Sequence, residues 1–282
     1  MGHRLEEMVL RMKHRGPDAS GVWIDKDEAI GFGHARLSIL DLSEFGAQPM
    51  ESSCGRFIIC YNGEVYNFAD LRDILLAEGF SFKGGSDTEV ILAAIAHWGV
   101  EEAVKRFVGM FAFALWDKRE KDLILCRDRV GKKPLYVGLQ RGTLVFASEL
   151  KPFRAIREFD LTINRDSLAV YFRHNYIPAP HSIFKGVFKL RPGHLMRIRR
   201  EDLDRGELPP SWAYWSAKET VLNRGGGRFE GTEEEAVEAL DTLLRDAVGL
   251  CMIADVPLGT FLSGGIDSST VAALMQAQSP KP

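Results

Sequence analysis

The sequence predicts an α+β protein in which segment 231–282 opens a second domain of the α/β type. Short apolar runs recur between residues 20 and 148, with few helix-like stretches between them, as in a layered domain built on antiparallel strands. Near the C-terminus, an apolar run, a loop of small residues and a helix-like run follow one another, which is how an open α/β domain begins.

The composition is that of an ordinary globular protein and excludes several classes of function. Of the 282 residues, 45% are hydrophobic and 27% are charged, and the net charge is −3. This charge indicates no nucleic-acid or membrane-surface partner, and no apolar run is long enough to cross a bilayer. The cysteines, at positions 54, 60, 126 and 251, have neither a Cys-x-x-Cys pair nor a metal-ligand spacing, so we expect free thiols in a reducing cytoplasm.

The first half of the chain supplies a helix and then a series of strands. Apolar residues between Leu5 and Met12 share one helical face, and Arg15-Gly16-Pro17-Asp18 ends that helix. The predicted strands are 20–24, 29–36, 57–61, 110–116, 123–127, 135–139 and 143–147. Polar turns at 117–121 and 140–142 predict two hairpins within this series.

Capping residues mark where the helices begin. One helix is predicted from Asn67, as the N-cap, to Gly79, and a second from the capping box Ser86-Asp87-Thr88-Glu89 to Gly99. A further capping box at 232–235 begins a helix in the C-terminal segment.

The remaining predictions concern the chain after residue 178. We expect a hairpin-like, Pro-rich region at 178–210, a flexible joint at Gly225-Gly226-Gly227, a strand at 256–262 and a helix over 270–276. These predictions divide the chain into a first domain at 1–215, a linker at 216–230 and the start of a second domain at 231–282.

The run Phe261-Leu262-Ser263-Gly264-Gly265-Ile266-Asp267-Ser268-Ser269 predicts a phosphate-binding loop. Glycines let backbone N–H groups approach an anion, serines add hydroxyl donors, and the start of a helix supplies a positive dipole. The run lacks the Gly-Lys-Ser/Thr ending of the common P-loop, which excludes a lysine-dependent NTPase. It is similar to the pyrophosphate loop of ATP-dependent enzymes that adenylate a carbonyl oxygen; the alternative is a Ser/Gly turn without a ligand.

A second cluster of polar residues lies where predicted strands end and helices begin, at 36–39, 61–67 and 86–89. It combines a guanidinium, a carboxamide beside a glycine, and two carboxylates. These groups suit an α-amino acid, which needs a cation for its carboxylate and anions for its ammonium, and amide hydrolysis, which needs donors for an oxyanion. Taken singly, Arg36 could be a strand-end charge, Asn62-Gly63 a turn and Asp87 a first-turn acid.

Over essentially the whole chain, these motifs resemble the glutamine-dependent asparagine synthetases. The resemblance includes Arg15-Gly16-Pro17-Asp18, Arg36-Leu37-Ser38-Ile39, Gln48-Pro49, Tyr61-Asn62-Gly63-Glu64, Ser86-Asp87-Thr88-Glu89, Arg127-Asp128-Arg129 and Asp255-Val256-Pro257-Leu258-Gly259. It implies a class II glutaminase domain with the N-terminal-nucleophile fold, an αββα sandwich, followed by the start of a PP-loop ATP-pyrophosphatase domain. In that family, ammonia from glutamine passes through a tunnel to aspartate that Mg-ATP has adenylated.

The resemblance also implies a role for individual residues. Arg36 would hold the α-carboxylate of glutamine, and Glu64 and Asp87 would hold its ammonium. The oxyanion hole would consist of the Asn62 carboxamide and the Gly63 N–H. The other implied residues are Leu37, Ser38, Ile39 and Leu40 for glutamine, Arg15 for the tunnel mouth, Leu262, Ser263, Gly264, Gly265, Asp267 and Ser268 for ATP, and Asp267 for Mg²⁺.

The sequence departs from this family at the nucleophile. The family uses a cysteine that becomes residue one, whose own α-amine serves as the base, whereas this sequence begins Met1-Gly2-His3 and has only internal cysteines. We therefore expect the first strand and most of the synthetase domain to lie outside this chain, and we expect the chain alone to perform neither reaction.

Several alternatives stay open at this point. The acceptor could be another carboxylate, for example in surface-polysaccharide biosynthesis, since Tyr176-Ile177-Pro178-Ala179-Pro180 resembles members associated with it. A glutamine-binding pseudoenzyme would keep Arg36, Glu64 and Asp87 without the thiol. Relatives that feed a phosphoribosyl or sugar acceptor lack the Ser-Gly-Gly loop, which argues against them. The expected partners are glutamine, ATP and aspartate, and the sequence leaves a homodimer open.

Overall fold

The computed structural model describes residues 1–223 and 229–279, so the predicted glycine joint at 225–227 lies outside the described residues. The helices are α1 (Gly2–Leu10), α2 (Phe68–Ala77), α3 (Asp87–Trp98), α4 (Val100–Arg106), α5 (Arg165–His174), α6 (Arg200–Arg205), α7 (Ala217–Asn223), α8 (Glu233–Leu250) and α9 (Ile266–Gln278). The strands are β1 (Ala19–Asp25), β2 (Ile30–Arg36), β3 (Met50–Glu51), β4 (Phe57–Val65), β5 (Gly109–Asp117), β6 (Asp122–Arg127), β7 (Tyr136–Gln140), β8 (Thr143–Ala147), β9 (Val187–Lys189), β10 (His194–Ile198) and β11 (Trp212–Ala213).

The strands form three antiparallel sheets. The largest has six strands in the order β11-β10-β6-β5-β4-β3, and its longest pairing joins the whole of β4 to the whole of β5. A three-stranded sheet has the order β8-β7-β9, and β1 and β2 form a separate ribbon. The all-antiparallel pairing agrees with the α+β class that the sequence predicts.

The six-stranded sheet is buried on both faces. Tyr61, Phe111 and Phe113 belong to a core cluster shared with α2, α3 and α4. Ala112 and Ala114 belong to a second cluster on the other face, shared with residues of the other two sheets. Because successive strand residues point to opposite faces, a sheet covered on both sides needs continuous apolar strands. The first layer is formed by α2, α3 and α4, the second by the six-stranded sheet and the third by the two smaller sheets. Helix α1 packs on β2, outside the third layer.

The predicted strands between residues 19 and 147 are all present. The strand predicted over 57–61 continues to Val65, so Asn62, Gly63 and Glu64 lie within the sheet and pair with residues of β5. The alternative that Asn62-Gly63 forms a hairpin turn is therefore wrong.

The hairpin predicted over 178–210 is also wrong. The two strands of this region, β9 and β10, do not pair with each other: β9 pairs with β7, while β10 pairs with β6 and β11. The two strands therefore belong to different sheets, β9 at an edge and β10 between two neighbours, which a local sequence pattern does not reveal. The sequence analysis also missed the short elements β3, β11 and α4 to α7.

The strand predicted over 256–262 does not form within the described residues, where this stretch is irregular. Phe261 is 99% exposed, so no neighbouring layer covers the apolar run. A strand needs hydrogen bonds from an adjacent strand, and no described strand pairs with this stretch. The flanking helices α8 and α9 are present and pack on each other.

The capping predictions have mixed outcomes. The box at 232–235 is confirmed, with Thr232 and Glu235 bonded reciprocally. At α3 only half a box forms: the Ser86 hydroxyl accepts from the Thr88 N–H, while Glu89 accepts from the N–H groups of residues 83 and 84. Asn67 occupies the N-cap position of α2, but its side chain bonds the backbone of residues 106 and 108 instead.

Over the part of the chain that the structure describes, none of the helices has the length and apolar character needed to cross a membrane.

Two adjacent leucines of α2 provide a test of the helix-to-sheet packing. Leu75 is fully buried in the core cluster, whereas Leu76 is 48% exposed. We expect Leu75→Ala to lower the free energy of unfolding by about 2–5 kcal/mol, because it leaves a cavity. Leu76→Ala should change it by less than about 0.5 kcal/mol. Urea unfolding followed by tryptophan fluorescence measures both, and equal losses would contradict this packing.

Candidate functional site

One large cavity brings most of the predicted glutamine-site residues together. Its volume is about 1020 Å³, and it lies between the six-stranded sheet, the β1–β2 ribbon and α1. The predicted residues that line it are Arg15, Arg36, Leu37, Ile39, Leu40, Asn62, Gly63, Glu64 and Asp87. Ser38 belongs to the same loop but does not line this cavity; its N–H donates to Asp18 at 2.8 Å.

The loop that follows β2 fixes the Arg36 guanidinium. Arg36 is buried, and its guanidinium donates to the backbone oxygens of Asp41 and Ser43, the latter at 3.0 Å. A Cβ on Gly46 would lie 2.1 Å from Arg36 Nη2 and 2.7 Å from the Asp41 backbone oxygen, so the loop passes directly over the guanidinium and favours a glycine there. Because a guanidinium has five N–H donors, some remain for a carboxylate in the cavity.

The Asp87 carboxylate joins the end of β4 to the start of α3. Asp87 is only 5% exposed, and its Oδ2 accepts from the Tyr61 hydroxyl at 2.7 Å and from the Val65 N–H at 2.9 Å. Burial raises the pKa of this carboxyl, although the hydrogen bonds from Val65, Tyr61 and Thr88 oppose the rise. Asp87 is therefore held rigidly, in surroundings that disfavour an uncompensated negative charge.

Glu64 is the second carboxylate of the cavity. Burial and then the charge of Asp87 raise its pKa, and the charge of Lys133 lowers it. Lys133 also lines the cavity, and burial lowers the pKa of its own ammonium. Two partly or fully buried carboxylates whose pKa values are raised gain from a cation bound near them. The Glu64–Asp87 pair is thus suited to the ammonium of an amino acid.

Asn62 and Gly63 lie beside these carboxylates on β4. The Asn62 carboxamide donates to the Ser148 hydroxyl at 3.4 Å, a long bond that a stronger acceptor could replace. A Cβ on Gly63 would lie 2.1 Å from the Met110 backbone oxygen, so the β4–β5 pairing admits only glycine here. The carboxamide and the backbone N–H of this pair can serve as oxyanion donors.

His34 and Cys60 line the cavity without having been predicted as site residues. The Nε2–H of His34 donates to the Tyr61 backbone oxygen at 3.1 Å, which fixes the neutral tautomer. Burial lowers the pKa of His34 to about 4, and its Nδ1 is buried without a hydrogen-bond partner among the described residues. The Cys60 thiol donates to the Gly33 oxygen at 3.4 Å, and burial raises its pKa to about 12, so it stays protonated.

Arg15 lies at the cavity wall in an ion-pair cluster. Its guanidinium is 3.3 Å from the Glu149 carboxylate, which also accepts from His14 at 3.0 Å and has Lys151 at 3.5 Å. Glu149 therefore gathers two basic side chains from the segment after α1 and one from the segment after β8, and these contacts lower its pKa against the effect of burial. Arg15 is positioned by this cluster.

The predicted phosphate loop lies apart from the cavity. The Ser263 and Ser268 hydroxyl oxygens are 2.9 Å apart, and Gly265 is the N-cap of α9. Gly264 has φ +82°, a left-handed conformation that favours glycine. Leu262 and Asp267 are exposed, and within residues 1–223 and 229–279 no three acidic, His or Cys side chains gather as a metal site.

Sequence reasoning missed several residues that support this site. Gln48 was singled out within a motif but given no role; its Oε1 accepts from the Tyr61 N–H at 2.7 Å. Tyr61 itself orients Asp87, and its place directly before Asn62-Gly63-Glu64 was the available signal. No sequence signal identified His34 or Lys133, because their importance comes from burial beside residues distant in sequence.

Two family models match parts of this chain. A family model described as the glutamine amidotransferase domain matches residues 1–212, and one described as asparagine synthase matches residues 239–282. The chain therefore belongs to the glutamine amidotransferase domain family.

Two curated relatives show which members of this family the chain resembles. The chain is 39% identical to a putative glutamine-hydrolysing asparagine synthetase 2 of Methanocaldococcus jannaschii, over 96% of this chain and 53% of the relative. It is 36% identical to glutamine-hydrolysing asparagine synthetase 1 of Bacillus subtilis, over 98% of this chain and 42% of the relative. The predicted resemblance to glutamine-hydrolysing asparagine synthetases is thus confirmed, and the chain spans about half the length of these relatives.

The fold also occurs in a solved structure. Glutamine phosphoribosylpyrophosphate amidotransferase from B. subtilis, complexed with ADP and GMP, matches with a TM-score of 0.53 and 17% identity, over 96% of this chain and 60% of that one. At this identity the likeness concerns the fold alone. It confirms the predicted N-terminal-nucleophile glutaminase fold.

The buried, neutral His34 predicts a pH dependence of stability. Between pH 6.5 and about 4 the unfolded chain binds a proton at His34 that the folded protein does not. The free energy of unfolding should therefore fall as the pH falls through this window, by up to about 1.4 kcal/mol per pH unit from this group. His34→Gln keeps an N–H donor without the titration, so urea unfolding of the variant should lack this slope. Parallel curves for both proteins would contradict a neutral His34.

Proposed function

We propose that the protein to which this chain belongs is an ATP-dependent glutamine amidotransferase that makes asparagine. Glutamine hydrolysis would supply ammonia to an aspartate that ATP has adenylated, giving asparagine, AMP and pyrophosphate. The relatives named above support this reaction, and since the chain spans about half their length, the proposal concerns the whole protein.

One observation carries the glutaminase half of the proposal: the cavity has charged groups for both ends of an amino acid. The Arg36 guanidinium suits the α-carboxylate, and the Glu64–Asp87 pair suits the ammonium. The raised pKa values of both carboxyls support this assignment, because a bound ammonium would compensate the charges that burial and, at Glu64, the neighbouring Asp87 make unfavourable.

The side-chain amide of the bound glutamine would then face Asn62 and Gly63. As the carbonyl carbon becomes tetrahedral, its oxygen gains negative charge, and the Asn62 carboxamide and Gly63 N–H would donate to it. Both groups are preorganised by the β4–β5 pairing. In the family that this chain resembles, a cysteine at residue one attacks the amide carbon of glutamine. Cys60 is unsuited to this role, because its thiol stays protonated.

For the synthetase half, we propose that residues Leu262–Ser268 bind ATP. The exposed loop offers the Ser263 and Ser268 hydroxyls and the N-terminus of α9 to phosphate groups. Asp267 in the first turn is a suitable Mg²⁺ ligand, since Mg²⁺ is commonly held by one or two carboxylates together with substrate phosphates. Bound ATP would supply the AMP that activates the acceptor carboxylate.

We also propose a division into a glutaminase-type domain at 1–215, a linker at 216–230 and the start of the ATP-binding domain at 231–282. The ranges matched by the two family models, 1–212 and 239–282, support this division.

Glutamine binding tests the charged groups of the cavity. Glu64→Gln should weaken binding of L-glutamine by about 10–100-fold, since a hydrogen bond to a charged group contributes about 1.5–3 kcal/mol. Glutaramic acid has the same amide and carboxylate but no α-amino group, so its affinity should not change with this variant. Isothermal titration calorimetry of both ligands gives the comparison.

The matched control for this experiment is Glu78→Gln, which changes an exposed carboxylate at the end of α2. If wild-type protein binds glutamine no better than glutaramic acid, the ammonium site is misassigned. If glutamine does not bind at all, the proposed glutaminase function of this cavity is wrong.

The oxyanion assignment is tested in the whole protein by Asn62→Ala. Glutaminase turnover should fall by roughly a hundredfold or more, as on loss of one oxyanion donor. Ammonia-dependent synthesis bypasses this step and should be spared, so it serves as the internal control. An equal fall of both activities would show that Asn62 has another role.

A further inference from the structure

Two hydrogen bonds join the loop at 37–46 to the chain that follows α8. The Asp255 N–H donates to the Ile39 backbone oxygen at 2.9 Å, and Asp255 Oδ2 accepts from the Asp41 N–H at 2.7 Å. Asp255 thus binds the loop with both its backbone and its side chain. The residue lies in the motif Asp255-Val256-Pro257-Leu258-Gly259, which has no role in the proposed function.

The loop that Asp255 contacts is the one that holds Arg36. The backbone oxygen of Asp41 accepts from the Arg36 guanidinium, and the Asp41 carboxylate accepts from the Gly85 N–H at 2.8 Å. Gly85 comes directly before Ser86 and Asp87 at the start of α3. Asp41 therefore connects the proposed carboxylate end of the glutamine site with its ammonium end, and Asp255 fixes the backbone of Asp41.

Hydrogen bonds, rather than apolar burial, define the shape of this loop. Leu37 and Leu42 are each 55% exposed, and Phe45 is 48% exposed. A segment with so little buried apolar surface opens easily unless polar contacts hold it. On the other side of the loop, Asp18 accepts from the Ser38 N–H at 2.8 Å, so Asp18 and Asp255 hold the loop from two directions.

A second contact brings the same C-terminal stretch against the site. Burial, and then the neighbouring Cys251, raise the pKa of the Tyr66 hydroxyl, and Tyr66 directly follows β4, two residues after Glu64. The stretch 251–255 therefore contacts the loop beside Arg36 and lies near the end of the strand that carries Glu64.

We propose that Asp255 is a positioning residue for glutamine binding: from the C-terminal segment, it holds the 37–46 loop in the shape that orients Arg36. The proposal rests on the assignment of the cavity as the glutamine site. It also gives the two proposed sites a direct connection, because the stretch that contains Asp255 continues into the phosphate loop at Ser263–Ser268.

The test combines glutamine affinity with amide hydrogen exchange of the loop in the 282-residue chain. Asp255→Ala removes the acceptor for the Asp41 N–H; we expect about threefold to tenfold weaker glutamine binding and about tenfold faster exchange of peptides covering 38–45. Asp255→Asn keeps an acceptor oxygen and should restore both values to within about twofold of wild type. Asp246→Ala, which removes an exposed carboxylate from α8, is the control for charge.

Unchanged exchange of peptides covering 110–127 in the central sheet shows that a variant is folded. Wild-type affinity and loop exchange in Asp255→Ala would overturn the proposal, as would an Asp255→Asn variant as impaired as Asp255→Ala. If the wild-type chain does not bind glutamine, the proposed function fails, and loop exchange alone then decides whether Asp255 positions the loop.

Discussion

The buried carboxylate of Asp87 is the constraint on which the site depends. By accepting from the Tyr61 hydroxyl and the Val65 N–H, it ties the end of β4 to the first turn of α3. Tyr61 and Val65 contribute to the core shared with the helices, so strand alternation turns Asn62 and Glu64 toward the opposite face, where both line the cavity. The packing of β4 therefore determines both which of its residues enter the core and which line the cavity.

The electrostatics of the cavity follow from that placement. Burial raises the pKa of both the Asp87 and the Glu64 carboxyls; the charge of Asp87 raises the pKa of Glu64 further, and the charge of Lys133 lowers it. Arg36 occupies the same cavity but is supported by backbone oxygens rather than by a carboxylate. Its charge also interacts with the Asp41 carboxylate in the same loop. A free amino acid could bind between Arg36 and the Glu64–Asp87 pair, which line the same cavity.

Rigidity is distributed unevenly around the cavity. The β4–β5 pairing leaves no room for a side chain at Gly63, so the proposed oxyanion donors lie on a strand that is paired along its whole length. The Arg36 side is carried by a loop with exposed leucines, held by Asp18 and Asp255. A site with one rigid wall and one wall held by polar contacts can admit a ligand on the second side without disturbing the first.

The sequence by itself determined the strands between residues 19 and 147 and singled out Arg36, Asn62, Glu64 and Asp87, which line one cavity, because apolar runs and local motifs carry those features. The phosphate loop stays a prediction. Only the tertiary structure decided that β9 and β10 join different sheets, that 256–262 forms no strand and that Ser38 lies off the cavity. The same holds for the neutral His34 and for the contact of Asp255 with the loop. These features depend on neighbours far apart in sequence, and burial and pairing exist only once the layers have assembled.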